Sequence, residues 1–245
     1  MRTITFTSDF GTRDWFTAAV KGEIFKIARD VRVIDITHNI APFDIRGAAF
    51  LISAVYANFP KGTIHLAVVD PGVGGKRRPV IVESVGCYFV GPDNGLFSYI
   101  LGPDSEVYVI DAPEDTSHTF HARDLFGPAA ARLAIGTLPD RLGKKTSNHE
   151  RFDIRNVRRK GSKYEAEIAY IDHFGNCITN IENRREISQI IVAGHRVLIE
   201  QSYGDVARHK LVCVRGSIGY YEIAVNQGRA CDLLQAHVGM SVEAS

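Results

Sequence analysis

Asp70 and Arg77 bound a glycine-rich octapeptide, Asp70-Pro71-Gly72-Val73-Gly74-Gly75-Lys76-Arg77. The apolar run 63–69 directly before it reads as a buried strand. An acid at the end of such a strand lies at the carboxyl edge of the sheet, where open α/β folds place their ligands. The glycines and Pro71 turn the chain back and bring Arg77 towards the same edge. A carboxylate and a guanidinium facing one cavity orient a small polar molecule and stabilise charge as it develops. The competing reading is a surface turn carrying a solvated ion pair. A phosphate-cradling loop is excluded, because Asp70 stands where its first glycine belongs and Arg77 where its Ser or Thr belongs. The dinucleotide fingerprint fails as well, since its third glycine falls on Arg77.

Four further segments carry candidate chemistry. Asp9, in Thr7-Ser8-Asp9-Phe10-Gly11, ends the first strand and shares the expected cleft edge with Asp70. It either accepts hydrogen bonds from a ribose diol or serves as a loop carboxylate capping the next helix. His121, in Thr119-Phe120-His121-Ala122-Arg123-Asp124, precedes a helix, whose dipole keeps an imidazole neutral. His118 lies three residues earlier, but the other seven histidines are scattered, so no metal site is expected. Ile171-Asp172-His173-Phe174-Gly175-Asn176 groups an acid, an aromatic ring and an amide. That set suits a ligand with a cationic end and a flat end, Asn176 reading an adenine edge. Its alternative is an Asx turn with Phe174 plugging the core. The stretch containing Ser217, Glu222 and Val225 is, by itself, a strand flanked by turns.

The elements that must position these residues fall into two regions. Strand signals at 2–7, 31–37, 63–69 and 107–111 alternate with helix signals at 15–28, 45–59, 96–101 and 124–135. Asp14 and Asp44 are candidate caps for the first two helices, and 79–84 with 87–90 reads as a hairpin turning at Val85-Gly86. This order predicts an α/β domain over 1–150 with a largely parallel central sheet. Short strands at 164–171, 177–181, 196–199, 211–214 and 220–225 predict a smaller antiparallel β-sandwich or barrel over 164–245. The polar, basic stretch 151–163 is the expected linker or solvated hairpin.

Composition bounds the function further. With 29 basic and 28 acidic side chains among 245 residues, the net charge of +1 gives no general drive towards nucleic acid or anionic membranes. Four cysteines without a C-x-x-C pair fit reduced, mostly buried thiols. No signal peptide and no membrane-spanning apolar stretch is read, so a cytoplasmic protein is expected.

Taken together, the segments resemble the S-adenosyl-L-methionine hydroxide adenosyltransferase family, distant relatives of the fluorinating and chlorinating enzymes that use the same substrate. The resemblance runs through Thr7-Ser8-Asp9-Phe10-Gly11, the 70–77 octapeptide, Gly91-Pro92-Asp93-Asn94-Gly95-Leu96, Phe120-His121-Ala122-Arg123-Asp124, 172–176 and 222–226. It implies an N-terminal α/β domain, a C-terminal β-barrel and a homotrimer whose substrate lies between one subunit's N-terminal domain and a neighbour's C-terminal domain. It implies a catalytic Asp70, Arg77 and His121, with no metal or other cofactor. Asp9 would hold the ribose diol and Phe43 would pack against the sugar. Phe174 and Tyr203 would flank the adenine, with Asn176 on its edge. Asp172 and Ser217 would meet the methionine ammonium, and Glu222 with backbone near Val225 would complete the nucleoside site. The implied reaction is attack of water or hydroxide on ribose C5′, releasing adenosine and methionine. The halogenating relatives are the nearest alternative, but they lack the Asp-Arg-His set and carry a serine where this chain has Ala122. A non-catalytic adenosine or S-adenosylmethionine binder is the alternative from another class.

Overall fold

The computed structural model describes residues 2–153 and 157–245. The chain divides into two compact units, Met1–Asp153 and Ile154–Ser245.

The first unit contains β1 (Thr3–Ser8), α1 (Phe16–Ile27), β2 (Arg32–Thr37), α2 (Ile45–Val55), β3 (Ile64–Val68), β4 (Pro79–Ser84), β5 (Cys87–Pro92), β6 (Glu106–Ile110), α3 (Gly127–Ala134) and β7 (Gly143–Thr146). The strands form one sheet in the order β2-β1-β3-β5-β4-β6-β7. The first four pair in parallel, whereas β4 pairs antiparallel with β5 and β6, and β6 antiparallel with β7. The sheet is therefore mixed rather than largely parallel. The hairpin at Val85-Gly86 reverses the chain after β4, and the strands beyond it continue the antiparallel pattern.

Alternation along the strands gives this sheet two apolar faces. Ile64, Leu66 and Val68 pack with Val20 and Ile24 of α1 and with Ala130 and Leu133 of α3. Ala67, Val69 and Phe89 pack on the other face with Ala48 and Ile52 of α2. Such burial contributes about 1.5–3 kcal/mol per large side chain. The Asp44 carboxylate caps α2 by accepting the Gly47 N–H at 2.8 Å. Asp14 does not cap α1: the N-cap position is Trp15, without a side-chain bond. Residues 96–100 form successive turns rather than a helix. The helix expected from Asp124 begins as a π turn, Ala122–Phe126, before α3. Pro128, in the first turn of α3, lacks an N–H to give the carbonyl four residues back, while Gly127 donates to Ala122 instead.

The second unit contains β8 (Arg158–Lys160), β9 (Lys163–Ile171), β10 (Cys177–Glu182), β11 (Gln189–Val192), β12 (His195–Glu200), β13 (Leu211–Arg215), β14 (Tyr220–Val225), a one-turn helix α4 (Ala230–Leu234) and β15 (Ser241–Ala244). The order β10-β14-β13-β12-β11-β15-β9 closes on itself through β9–β10 pairing, which makes a barrel. Every pair around the ring is antiparallel except β12–β13. Its interior is filled by Ile168, Cys177, Ile181, Val197, Cys213, Tyr221 and Ile223. Within the stretch expected as a linker, residues 154–156 lie outside the described residues. Arg158–Lys160 pair with β9 as a hairpin, the second of the two expectations for this stretch. Cys87, Cys177 and Cys213 are buried free thiols, and Cys231 is partly exposed. No helix among the described residues is long and apolar enough to cross a membrane.

Candidate active site

Strand pairing sets the positions of both acids. β1 and β3 are adjacent, parallel and in register from Ile4 opposite Ile64 to Ser8 opposite Val68. Asp9 and Asp70 each follow the end of one of these strands, so both stand at the carboxyl edge. An open cavity of ≈ 440 Å³ lies there, lined by Asp9, Phe43, Asp70 and His121, together with Phe10, Phe16, Phe120 and Val73. The lining is mostly apolar with a few convergent polar groups, the usual character of a small-molecule site.

Asp70 and His121 stand on the wall of this cavity, and Arg77 joins them from behind. Arg77 Nε donates to both carboxylate oxygens of Asp70, at 2.8 and 3.0 Å, and Nη2 donates to Oδ2. The same Nη2 reaches His121 Nδ1 at 2.6 Å. The pair is sequestered, the two side chains being 9% and 6% exposed, which excludes the solvated surface ion pair. Arg77 also lies over the Phe126 ring, 5.2 Å from its centroid. It sits behind Asp70 and His121 and ties them together.

A guanidinium has no lone pair, so Nδ1 of His121 is the acceptor and the neutral ring carries its hydrogen on Nε2. Burial, and then the Arg77 cation, hold the His121 pKa below the ordinary histidine value. His121 therefore faces the cavity as a neutral hydrogen-bond donor. Arg77 Nη1 is buried and has no partner among the described residues, leaving a further donor in this cluster.

Gly74 brings the loop to the histidine. Its φ is +73°, and a Cβ there would sit 2.2 Å from the His118 carbonyl oxygen. Only glycine permits this approach of the 70–77 loop to the segment carrying His121.

Asp9 and Phe43 are also joined. The Phe43 N–H donates to Asp9 Oδ2 at 2.9 Å, and Phe43 adopts φ +70° with its ring 69% exposed. A bulky residue in left-handed backbone is strained, and the Asp9 bond helps to hold it. Asp9 thus braces the loop before α2 rather than capping α1.

The remaining predicted residues lie in the second unit. Asp172 and Asn176 flank the turn between β9 and β10. Asp172 accepts from the Asn176 backbone at 2.9 Å and from its Nδ2 at 3.0 Å. The Asp172 side chain thus closes a turn four residues on rather than the Asx turn foreseen as an alternative, and Phe174 at its tip is 70% exposed and does not plug the core. Ile178 of β10 is the register partner of Glu222 on β14. Tyr203, between β12 and β13, donates its hydroxyl to Glu222 Oε1 at 2.7 Å. Burial raises the Glu222 pKa, opposed by the Tyr203 bond and reinforced by Asp172. Asp172, Asn176, Tyr203 and Glu222 thus form one polar cluster with an exposed aromatic beside it. Ser217 is exposed in the β13–β14 turn, and Val225 is buried at the end of β14.

Sequence reasoning did not pick out Phe10, Phe16, Phe120 and Val73 as cavity residues, because scattered apolar positions look like core. Among the described residues, no group of three or more His, Cys, Asp or Glu side chains is arranged to hold a metal ion.

The profile of the SAM hydroxide adenosyltransferase N-terminal domain matches residues 4–143, and that of the C-terminal domain matches 166–243. The chain belongs to the SAM hydroxide adenosyltransferase family. It is 36% identical to an (R)-S-adenosyl-L-methionine hydrolase of Thermus thermophilus, over 99% of both chains. A hydrolase of the same name from Salinispora tropica is 37% identical, over 94% of this chain and 93% of its own. A solved structure of a conserved Thermotoga maritima protein superposes with a TM-score of 0.90 at 30% identity, covering 98% of this chain and 99% of its own. A fluorinase of Nocardia brasiliensis is more distant, 27% identical over 73% of this chain and 70% of its own. Members of the SAM hydroxide adenosyltransferase family thus share both the α/β unit and the barrel with this chain.

Proposed function

We propose that this protein hydrolyses S-adenosyl-L-methionine to adenosine and L-methionine by attack of a water-derived oxygen on ribose C5′. The observation that carries the proposal is the Asp70–Arg77–His121 cluster, whose acid and imidazole line the cavity that Asp9 and Phe43 also line. Asp9 holds the ribose diol through the carboxylate oxygen that Phe43 does not occupy, and the exposed Phe43 ring covers the sugar.

The leaving group departs as a neutral thioether, so the sulfonium charge disperses in the transition state. No acid is needed at sulfur. The demand is for an oxygen nucleophile held in line with the C5′–S bond. Donors from Arg77 and His121 favour a hydroxide-like oxygen, and Asp70 orients the water or accepts its proton. No metal or other cofactor enters this scheme.

Phe174 and Tyr203 flank the adenine, Asn176 reads its edge, Asp172 and Ser217 receive the methionine ammonium, and Glu222 with the backbone at Val225 closes the nucleoside site. We assign the working form as a cytoplasmic homotrimer in which these barrel residues are supplied by a neighbouring subunit. That arrangement would cover the exposed rings of Phe43 and Phe174.

Incubation with S-adenosylmethionine, followed by chromatography, tests the activity. Adenosine and methionine in equal amounts are expected. Binding without turnover would mark a sensor, and products that form only with added halide would mark a halogenase.

A further inference from the structure

The motif Gly91-Pro92-Asp93-Asn94-Gly95 has no part in the scheme above, yet it lies directly against the 70–77 loop. In the sheet, β5 runs between β3 and β4, the strands that the loop connects. The loop therefore straddles the carboxyl end of β5. Gly91 allows the closest approach: a Cβ there would meet the Ala67 carbonyl oxygen of β3 at 2.2 Å.

Two consecutive residues then grip the two ends of the loop. Asn94 donates its Nδ2 to the carbonyl of Val69, the residue before Asp70, at 2.9 Å. Its Oδ1 accepts the Leu96 N–H at 3.2 Å, which fixes the direction of the amide. Asp93 holds Arg78, the residue after Arg77. Arg78 donates to Asp93 Oδ2 from Nε at 3.1 Å and from Nη2 at 2.5 Å, while the Asp93 N–H donates to the Arg78 carbonyl at 2.8 Å. The Asp93 side chain is 4% exposed, and its Oδ1 accepts the Glu150 N–H at 2.8 Å.

We propose that Asp93 and Asn94 are positioning residues that clamp the 70–77 loop at both ends and so hold Asp70 and Arg77 in register with His121. This rests on the reading of the loop and His121 as the hydrolytic centre. Three glycines within the loop give it little stiffness of its own. The loop's backbone order comes from its ends, from two internal turns, Val73 to Asp70 and Gly75 to Gly72, and from the contact at Gly74. Removing one end bond leaves the cavity residues Asp9 and Phe43 untouched, but lets Asp70 and Arg77 shift relative to the substrate carbon.

The test compares Asn94→Ala, Asn94→Asp and Arg78→Met with the wild type, with rates expressed per folded protein from circular dichroism. Each variant is expected to lose about 10–100-fold in kcat with KM within about threefold, because misplacement of reacting groups acts on the chemical step. Asn94→Asp keeps the acceptor for Leu96 but lacks the donor to Val69, so it should fall with Asn94→Ala. Arg78→Lys retains one bond to Asp93 and should recover part of the loss. A kcat within about twofold of wild type in folded Asn94→Ala and Arg78→Met, where misplacement predicts the larger loss, overturns the clamp. Histidine-labelled NMR spectra separate this from the activity itself. Displaced His121 ring resonances in the folded variants support the clamp, and unchanged resonances contradict it, even if the wild type does not turn over S-adenosylmethionine.

Discussion

Asp70 and Arg77 form a bidentate, largely buried pair, and that makes the choice of substitution matter. Truncating Asp70 to Ala leaves a buried guanidinium uncompensated, which typically costs about 3–5 kcal/mol. Asp70→Asn keeps the shape and isolates the chemistry. We expect it to abolish most turnover while calorimetry still detects adenosine binding; near-normal turnover would remove Asp70 from the mechanism. Arg77→Lys retains charge but loses the planar fork that reaches both Asp70 and His121, and should lower kcat about 100-fold or more. His121 sets the acid limb. Its pKa lies below 6.5, so the ring is neutral and accepts from Arg77 at neutral pH. Turnover should be insensitive to this group at neutral and higher pH and should fall as the pH drops through the depressed pKa, where protonation removes the Nδ1 acceptor. A pH–rate profile checks this, and a rate that rises on acidification would contradict the neutral-imidazole assignment.

At the scale of elements, β3 leads into the 70–77 loop and carries a buried titratable group. His65, its second residue, is packed against Phe89 with its Nδ1 on the Thr5 hydroxyl at 2.8 Å. Burial lowers its pKa to about 4. Between that value and the ordinary 6.5 the unfolded chain binds the proton and the folded chain does not, so stability is lost as the pH is lowered through this window. The loss approaches roughly 3 kcal/mol near pH 4. Urea denaturation of wild type and His65→Gln at pH 7 and pH 4.5 measures it; equal slopes in the two proteins would rule His65 out. Gly74→Ala should destabilise the protein by about 1–3 kcal/mol, seen as a lower Tm, because it needs left-handed backbone and strikes the His118 carbonyl. Some of this was legible in sequence and some was not. Apolar runs ending in Asp9 and Asp70 placed both acids at a sheet edge, because strand period and direction suffice for that. The β4–β5 hairpin was legible at Val85-Gly86, but the antiparallel continuation through β6 and β7, the π turn beside His121 and the absence of an Asp14 cap were not. They depend on the hairpin, on Pro128 and on tertiary packing rather than on local preference. The motif at Asp93 and Asn94 drew notice only as a pattern, since its partners at Val69 and Arg78 come from other strands.

For the whole molecule, the predicted residues fall into two sets, one in each compact unit. In the proposed scheme the α/β unit contributes the reacting groups and ribose site, and the barrel contributes the Asp172–Asn176–Tyr203–Glu222 cluster. If subunits share sites as proposed, two inactive variants should complement each other. Mixing dissociated Asp70→Asn subunits with Asn176→Ala subunits and reassembling them should recover part of the wild-type activity. Sedimentation should report a trimer throughout. Mixtures as inactive as the separate variants would mean that each site is built from a single chain. The fold itself constrains the chemistry less than the site does, since the fluorinase relative matches much of the same chain.

Tracing the nucleophile's oxygen decides among these chemistries most directly. Wild-type protein turning over S-adenosylmethionine in ¹⁸O-enriched water should yield adenosine labelled at the 5′-oxygen and unlabelled methionine, as attack at C5′ requires. Adenosine free of the label, or label found elsewhere in the products, would contradict attack of water at that carbon.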